Sequence, residues 1–599
     1  MRLHLTLALI TIITLVVTLR AARRHHFTFT EVDQMAQKLV AAKYVAPPNA
    51  LPPQLQKLTP EQDEGIYWKD TYRLWRKKGL PFQIDFYHLL NSGPQPHIAL
   101  DINTVDLKGS HYLAYSPTFF NFLNLTTKPP TPMVFNPPLS NKIGYAGFYI
   151  RYPDIGIGSN PSSLDGFFSV LGSDYFRVIA KDQVYGLSSR GVALNTTVPG
   201  KMEEFPLFTE WWLQEPAPNA TELVLDALLE GPSVSGAYEF KIRPGGVTSV
   251  DVHASLYFRQ AVDRVGIAPF SSMYLYGENA KDHFNDSVHP EIHDSDGALI
   301  QNNKDEWLWQ PLSQSDDRGT GAKGYQLQTY SFPEENPKGF GLLQRDRDFS
   351  HYQDLAMKYN VRPSAWVMPH GDWGKGEVTL IELPSNDFNT DNVILFWHPA
   401  QEIKAGDHLD LSYTIDFYMN DAQRPPLAYC KQTLVNCPAP PPPPPPPAPT
   451  APAPPLPANV PPVKPGTQET AKAPNTPPAT AKVTTNAPAS SGPMGPPAPV
   501  KRTGPPMPIG TVPVQFLVDF AGNGIENIPA NQPPDLDLTY DPPGTYLREK
   551  SVEKNSYDNS WRVTFTIIPL KHLTPTLLRC RLLHDNKPLT ETWSYTWRQ

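Results

Sequence analysis

The chain has 599 residues, of which 70 are proline, and its formal net charge is −8 at neutral pH. This length exceeds the roughly 250–300 residues at which a single hydrophobic core stops growing, so we expect more than one domain. The negative balance excludes a nucleic-acid partner held through phosphates, because such binding depends on clustered lysine and arginine. With only 3 cysteines, a disulfide-dense scaffold is also excluded.

The N-terminus resembles an export signal. Leu5–Leu19 is apolar and free of charge, and Arg20, Arg23 and Arg24 follow it. The segment is shorter than the roughly 20 residues of a spanning helix, and its only small-residue cleavage pattern is Ala21-Ala22. We therefore predict residues 1–26 to be a signal peptide or an N-terminal membrane anchor, and the periplasm to be the compartment.

One early helix is predicted over residues 30–42. Thr30 can cap it, Glu31 and Asp33 suit the positive end of its dipole, and Val32 and Leu39 share one apolar face. After it, apolar residues alternate with polar ones in most segments, which is typical of antiparallel strands. The clearest such runs are 82–86, 238–242, 250–258, 409–417, 514–520, 561–567 and 593–597. The fold class predicted is therefore all-β.

The composition changes after Cys437. Residues 438–513 are mostly proline, alanine, threonine and serine, a composition that cannot bury enough apolar surface to offset its ordering entropy. We predict a large domain over 27–425, a disordered linker over 426–513 and a small immunoglobulin-like domain over 514–599. Cys430 and Cys437 either form a disulfide or remain two free thiols.

Side chains suited to sugars recur near the predicted loops. Aromatic faces stack on sugar rings, and charged groups bond to sugar hydroxyls. The candidates for substrate binding are Trp212, Trp307, Trp309, Trp373, Arg190, Arg345, Arg347 and Arg362. Each of these residues taken alone also fits a core position or a structural ion pair.

Two aspartates fit the chemistry of glycoside hydrolysis. That reaction needs one carboxylic acid to protonate the leaving oxygen and one carboxylate to activate water. Asp294 precedes a glycine turn and Asp391 stands just ahead of an apolar strand. For both residues the alternative role is a turn or cap former.

Several phrases carry a resemblance to a known family. They are Tyr44–Pro52, Gly79–His88, Asp174–Ile179, Tyr185–Gly191, Glu204–Trp212, Ile292–Gly297, Glu306–Trp309, Glu335–Trp397 and Glu591–Trp597. Together they resemble the osmoregulated periplasmic glucan biosynthesis proteins of the G/D family. The resemblance implies a galactose-mutarotase-like β-supersandwich followed by an immunoglobulin-like sandwich. The long proline-rich segment departs from the family's short connection.

The resemblance also implies roles for three residues. Members of the family are implicated as inverting β-1,2-glucanases, and their general acid and general base fall on Asp391 and Asp294. Tyr359 matches a tyrosine that positions substrate. Two departures, Phe388 where an acidic residue is expected and Gln310 where an arginine is expected, put catalytic competence in question.

No metal or organic cofactor is expected. His289, Glu291 and His293 have a spacing that a zinc site could use, but Pro290 interrupts the segment and favours a polar loop. Taken with these candidate residues, the family resemblance implies an inverting endo-β-1,2-glucanase that trims periplasmic glucan. The alternative is a non-catalytic glucan-binding factor that works with an inner-membrane glucosyltransferase, and a homodimer is left open.

Overall fold

The computed structural model describes most of the chain outside its N-terminus and the proline-rich segment. The described residues are 27–92, 97–172, 174–280, 283–284, 286–313, 327–419, 424–436, 513–542, 546–568 and 575–598. The predicted signal or anchor and the predicted linker residues 437–512 therefore lie outside them. Within the described ranges, no helix is both long and apolar enough to cross a bilayer.

Three short helices occur in this part of the chain: α1 (Phe29–Ala41), α2 (Pro60–Asp63) and α3 (Phe349–Tyr352). Helix α1 corresponds to the predicted early helix, but its cap is Thr28 rather than Thr30. Thr28 and Glu31 form a capping box, in which each side chain satisfies a backbone N–H that the first turn leaves free. Val32 and Ala36 are buried on the predicted face.

Apart from single 3₁₀ turns at Asp70–Tyr72, Arg76–Lys78, Pro117–Phe119, Tyr359–Val361 and Ile525–Asn527, strands make up the rest of the regular structure in the described residues. This confirms the all-β prediction. The strands of the first half are β1 (Ile66–Trp68), β2 (Gln83–Tyr87), β3 (Asp101–Asp106), β4 (Gly109–Tyr112), β5 (Phe120–Asn124), β6 (Thr131–Pro132), β7 (Gly147–Pro153), β8 (Leu164–Leu171), β9 (Tyr175–Val178), β10 (Ser188–Arg190), β11 (Val192–Leu194), β12 (Leu207–Gln214), β13 (Leu223–Glu230), β14 (Val234–Arg243), β15 (Val247–Phe258), β16 (Val265–Ser272) and β17 (Tyr274–Tyr276). Those of the second half are β18 (Ile292–His293), β19 (Gly297–Gln301), β20 (Trp307–Pro311), β21 (Gln328–Glu335), β22 (Gly339–Leu343), β23 (Ser364–His370), β24 (Lys375–Glu382), β25 (Val393–Pro399), β26 (His408–Tyr418), β27 (Tyr429–Asn436), β28 (Val514–Ala521), β29 (Asp535–Asp541), β30 (Tyr546–Lys554), β31 (Trp561–Ile568), β32 (Thr576–His584), β33 (Lys587–Pro588) and β34 (Thr592–Trp597).

Two large sheets form the main sandwich. One has the order β2-β7-β8-β9-β10-β16-β25-β24-β21, and the other runs β29-β32-β34-β20-β19-β22-β23-β26-β15-β14-β13-β12-β3-β4. Their facing sides share one core, shown by the contacts of Phe148 with Trp211 at 5.3 Å and of Phe176 with Phe240 at 5.4 Å between ring centroids. Burial of alternate side chains from both sheets drives this packing.

A smaller sandwich follows at the C-terminus. Its four-stranded sheet has the order β27-β28-β31-β30, and its core includes Phe516, Phe565 and Trp593. The opposite layer is β29, β32 and β34, and β34 pairs in parallel with β20, so this layer continues the second large sheet. The C-terminal strands thus extend the large domain through backbone hydrogen bonds.

The composition-based linker boundary at residue 426 differs from the structure. Tyr429–Asn436, which the composition assigned to the linker, form β27 and pair with β28, with Asn436 opposite Gln515. The segment 437–513 therefore connects two adjacent, antiparallel strands. Cys430 on β27 and Cys580 are buried free thiols. Cys437, which the sequence left as either a disulfide partner of Cys430 or a second free thiol, lies outside the described residues.

Candidate functional site

Asp294 lies at the end of a short strand pair. Strand β18 pairs with β17, and the backbone N–H of Asp294 donates to the carbonyl of Met273 at 2.8 Å. The side chain is only 4% exposed, and its Oδ1 accepts a hydrogen bond from Nη1 of Arg362. Burial raises the pKa of Asp294, while the Arg362 charge opposes that shift. Arg362 therefore supplies the counter-charge that a buried carboxylate needs.

Asp391 approaches Asp294 from the end of β25 in the first large sheet. It stands two residues before β25, and its Oδ2 accepts a hydrogen bond from Oγ of Ser188 at 3.2 Å. Nη2 of Arg177 lies 3.7 Å from the same oxygen. The negative charge of Asp391 contributes to the raised pKa of Asp294, so the two carboxylates interact electrostatically. Strands β9, β10, β16 and β25 are consecutive neighbours, which brings Arg177, Ser188 and Asp391 together.

A tight turn supplies the remaining side chains of this carboxylate site. Tyr359–Val361 form a 3₁₀ turn, and the guanidinium of Arg362 lies 4.3 Å from the centre of the Tyr359 ring. Burial raises the pKa of Tyr359 to about 12, so the phenol is neutral at ordinary pH. Gly186 packs directly on Arg362, because a Cβ at Gly186 would come within 3.0 Å of that side chain. The predicted substrate-binding pair Tyr359 and Arg362 therefore lies beside Asp294.

Arg347 stabilises this 3₁₀ turn through hydrogen bonds to its backbone carbonyls. Its Nη1 donates to the carbonyl of Asn360 at 3.1 Å and to that of Arg362 at 2.5 Å. Its Nη2 donates to the carbonyl of Met419 at 2.7 Å. Burial lowers the pKa of Arg347 to about 10. These donors are used by backbone carbonyls, so in this structure Arg347 holds the backbone that presents Arg362.

Arg345 and Trp309 lie in a different place. Nη1 and Nη2 of Arg345 contact the two carboxylate oxygens of Glu591 at 2.7 and 2.9 Å, and Nη1 also donates to the carbonyl of Cys430 at 3.2 Å. The guanidinium stacks 3.6 Å above the Trp309 ring. Arg345 thus joins the large domain to the C-terminal strands.

The other predicted tryptophans are core residues. Trp307 stacks on Trp366 with ring centroids 5.4 Å apart, and Trp373 lies in the main core at 7% exposure. Trp212 is 2% exposed and stacks on Phe27 beneath helix α1 at 5.1 Å. The structure brings none of these three rings to the Asp294 carboxylate through a described contact.

Arg190 lies on the same strand as Ser188 but pairs with a different carboxylate. On β10, it lies 3.5 Å from Oε1 of Glu203 and 4.8 Å from the Phe205 ring centre. Burial raises the pKa of Asp174, and the positive charges of Arg190 and Arg177 oppose that rise. Arg190 therefore belongs to a neighbouring ion-pair group.

Sequence reasoning missed Arg177 and Ser188. Both fall inside phrases that resemble the family, Asp174–Ile179 and Tyr185–Gly191, but neither residue type stood out there. The sequence could have shown only that each residue lies on a short strand with alternating side chains. Which of these side chains meet depends on the order of the strands in the sheet. That order is a tertiary property.

The alternative zinc triplet does not assemble. His289 pairs with Asp286 at 2.7 Å, whereas His293 pairs with Glu291 at 3.0 Å. Among the described residues, the group of side chains that could hold a metal is Glu291, Asp346 and His351, outside the carboxylate site.

The fold and the site define an all-β sandwich protein with a paired-carboxylate site. The chain belongs to the family described as periplasmic glucan biosynthesis protein, MdoG, whose model matches residues 27–440 and 470–597. It is thus a member of a family of periplasmic proteins of glucan biosynthesis.

Curated relatives support this membership. A glucans biosynthesis protein G of Sodalis glossinidius is 34% identical over 97% of this chain and 95% of its own length. The protein of that name from Ralstonia nicotianae is 40% identical over 68% of this chain and 76% of its own length. The one from Dickeya dadantii is 33% identical over 95% of this chain and 92% of its own length.

Proposed function

We propose that this protein is an inverting endo-β-1,2-glucanase that trims periplasmic glucan. The observation that carries the proposal is that Asp294, which contacts Arg362 beside Tyr359, lies near enough to Asp391 for the two carboxylates to interact electrostatically. Glycoside hydrolysis with inversion requires two carboxyl groups at one site, one as the general acid and one as the general base. The β-1,2 linkage and the inverting outcome come from the family resemblance.

In this reaction, Asp391 donates its proton to the glycosidic oxygen as the bond from that oxygen to the anomeric carbon breaks. Asp294 accepts a proton from the attacking water, directly or through a substrate hydroxyl, as the new carbon–oxygen bond forms. Arg362 suits the base role, because its positive charge favours the ionised form of buried Asp294. The Tyr359 hydroxyl and ring would position the sugar.

The second candidate is a non-catalytic glucan-binding factor that works with an inner-membrane glucosyltransferase. Two observations favour it. Arg177 and Ser188 both contact Asp391 in ways that suit a carboxylate, whereas an acid must carry a proton. Phe388, where an acidic residue was expected, is 47% exposed on the loop before Asp391. Both features would slow proton donation while leaving a binding site intact.

The experiment is incubation of the protein with linear β-1,2-glucan, with products resolved by size and by the anomeric form seen in NMR. Shortened chains released first as the inverted anomer, and lost in Asp391→Asn, support the hydrolase. Asp410→Asn, which changes a carboxylate that is 60% exposed on β26, is the matched control and should keep full activity. Glucan that binds but stays intact overturns the hydrolase and supports the handling factor.

Retention in the inner membrane and self-association are separate parts of the proposal. The apolar segment Leu5–Leu19 supports export and leaves cleavage to be measured. N-terminal sequencing of the mature protein and its distribution between soluble and membrane fractions test the anchor. Sedimentation of the purified protein with and without glucan tests the homodimer.

A further inference from the structure

A polar cavity of about 460 Å³ lies on the other side of the segment that carries Asp294. Its walls come from residues 291–296, from the loop 345–351 and from strand β27. Neighbouring side chains of an extended segment face opposite ways. Accordingly, His293 contacts Glu291 and Gln344, whereas Asp294 contacts Arg362. The cavity is thus distinct from the carboxylate site.

Three ligand-type side chains meet in this cavity. Glu291, Asp346 and His351 each offer one atom, and these atoms all lie within 4.8 Å of one another. Two carboxylate oxygens and one imidazole nitrogen form a donor set used for divalent transition metals, with open positions for water.

A second contact shell orients one of these ligands. The buried His293 lies 3.0 Å through Nε2 from Oε2 of Glu291 and 3.0 Å through Nδ1 from Oε1 of Gln344. Such outer partners fix the direction of a metal-binding carboxylate.

An independent observation is Tyr274. This residue is only 7% exposed and lines the cavity, yet its hydroxyl has no hydrogen-bond partner in the described part of the chain. The hydroxyl of a nine-tenths buried side chain that lines a cavity bonds to what occupies that cavity. A water held on a cation at Glu291, Asp346 and His351 would supply one.

The charged groups around the cavity also favour a cation. Its walls contain the further carboxylates of Glu278 and Asp296, and they also contain Lys431, which pairs with Asp558 at 2.7 Å. The positive charge of His293, whose pKa, despite burial, the neighbouring carboxylates raise to about 9, is paired with Glu291. The nearby arginines are already engaged, Arg345 by Glu591 and Arg347 by backbone carbonyls.

We propose that Glu291, Asp346 and His351 form a binding site for a divalent transition cation such as Zn²⁺. The cation would tie the segment 291–294 to the loop that leads into α3 and onward to Tyr359 and Arg362. It would therefore stabilise the scaffold of the carboxylate site without touching the reacting atoms. Binding would displace the proton from His351 and the hydrogen bond between His351 and Asp346.

The test is calorimetric titration of the purified, EDTA-treated protein with Zn²⁺, with Mn²⁺ and Ca²⁺ as comparison ions. We expect one equivalent of Zn²⁺ to bind, to raise the melting temperature and to bind at least tenfold more weakly in Asp346→Asn and in His351→Gln. His289→Gln is the matched control, because His289 pairs with Asp286 and Asp354 outside the cluster, and it should bind like the parent.

Two outcomes would overturn the proposal. One is a folded parent protein that binds no Zn²⁺ and shows no change in melting temperature. The other is binding that Asp346→Asn and His351→Gln leave unchanged, which would place the ion elsewhere. Circular dichroism of each variant separates a lost site from a lost fold, and His351→Gln alters a side chain that is 45% exposed.

Discussion

Arg177 on β9 and Asp391, two residues before β25, form an ion pair, with Nη2 of Arg177 3.7 Å from Oδ2 of Asp391. Strands β10 and β16 lie between β9 and β25 in the sheet. Ser188 donates to the same oxygen at 3.2 Å, so one carboxylate oxygen receives both contacts. The Nε of Arg177 is buried without a hydrogen-bond partner among the described residues. The ion pair and the hydrogen bond together hold the carboxyl group of the proposed acid in one position.

Arg177→Gln should lower kcat for glucan hydrolysis by about tenfold and leave KM nearly unchanged, because a misplaced reacting group slows the chemical step. Arg177 and Ser188 are the side chains that hold the Asp391 carboxyl group in place. The measurement is kcat and KM for the parent and the variant. Arg190→Gln serves as control, because Arg190 pairs with Glu203 instead. An unchanged kcat in folded Arg177→Gln would refute the role.

Arg345 is expected to act on stability. Its bidentate partner Glu591 is fully buried, and removing one member of a buried pair typically costs about 3–5 kcal/mol. Glu591→Gln and Arg345→Ala should therefore lower the free energy of unfolding by that amount, measured in urea. Arg581→Ala, from a pair about one-third exposed, should cost less than about 1 kcal/mol. If Arg345→Ala instead weakened glucan binding at unchanged stability, the sequence prediction of a sugar contact would stand.

Trp212 should behave as a core residue. Trp212→Ala removes the ring that stacks on Phe27 and should destabilise the protein by about 3–5 kcal/mol. Trp212→Phe keeps part of the packing and should cost less. Glucan affinity measured by calorimetry well below the melting temperature should match the parent in both variants. A loss of affinity in folded Trp212→Phe would contradict this assignment.

Asp226 gives a pH-dependent stability. Burial raises the pKa of Asp226 to about 7, against the opposing effect of the hydrogen bond from Gln214 at 2.9 Å. The folded protein therefore holds this proton over a pH range in which the unfolded chain releases it. Stability should fall as pH rises from about 4 to 7, by at most about 4 kcal/mol. Asp226→Asn should remove this fall.

The Asp226 comparison is made by urea unfolding at pH 4 and at pH 8. The variant should equal the parent at pH 4 and exceed it at pH 8. Asp535→Asn, an exposed position, should track the parent at both pH values. A variant that is less stable than the parent at pH 8 would show that the carboxylate makes a favourable interaction there.

The proline-rich segment should be dispensable for folding. Its ends lie on paired strands, with Asn436 opposite Gln515. Replacing residues 438–512 with a short Asn-Gly turn should keep the β27–β28 pairing and stabilise the protein by about 2 kcal/mol, because closing a shorter loop costs less entropy. Thermal unfolding of the two proteins measures the effect. A shortened protein that fails to fold would show that the segment contributes to the C-terminal sandwich.

The local pattern of the chain determined much of the architecture. Alternation at Val250–Phe258 and at Leu409–Phe417 predicted two strands that the structure contains as β15 and β26. Strand periodicity depends only on which side chains avoid water, so it is readable before folding. The family phrases likewise selected Asp294, Asp391, Tyr359 and Arg362. In the structure Arg362 contacts both Asp294 and Tyr359, and Asp391 interacts electrostatically with Asp294.

Only the tertiary structure decided which side chains contact each other. A tryptophan in the sequence looks the same whether it faces a sugar or a core, and only sheet packing placed Trp212 against Phe27. Strand order gave Asp391 its contacts with Arg177 and Ser188, and the pairing of β34 with β20 placed Glu591 within reach of Arg345. These contacts join residues far apart in the chain, so no local pattern encodes them; they exist only once two buried faces have closed on each other.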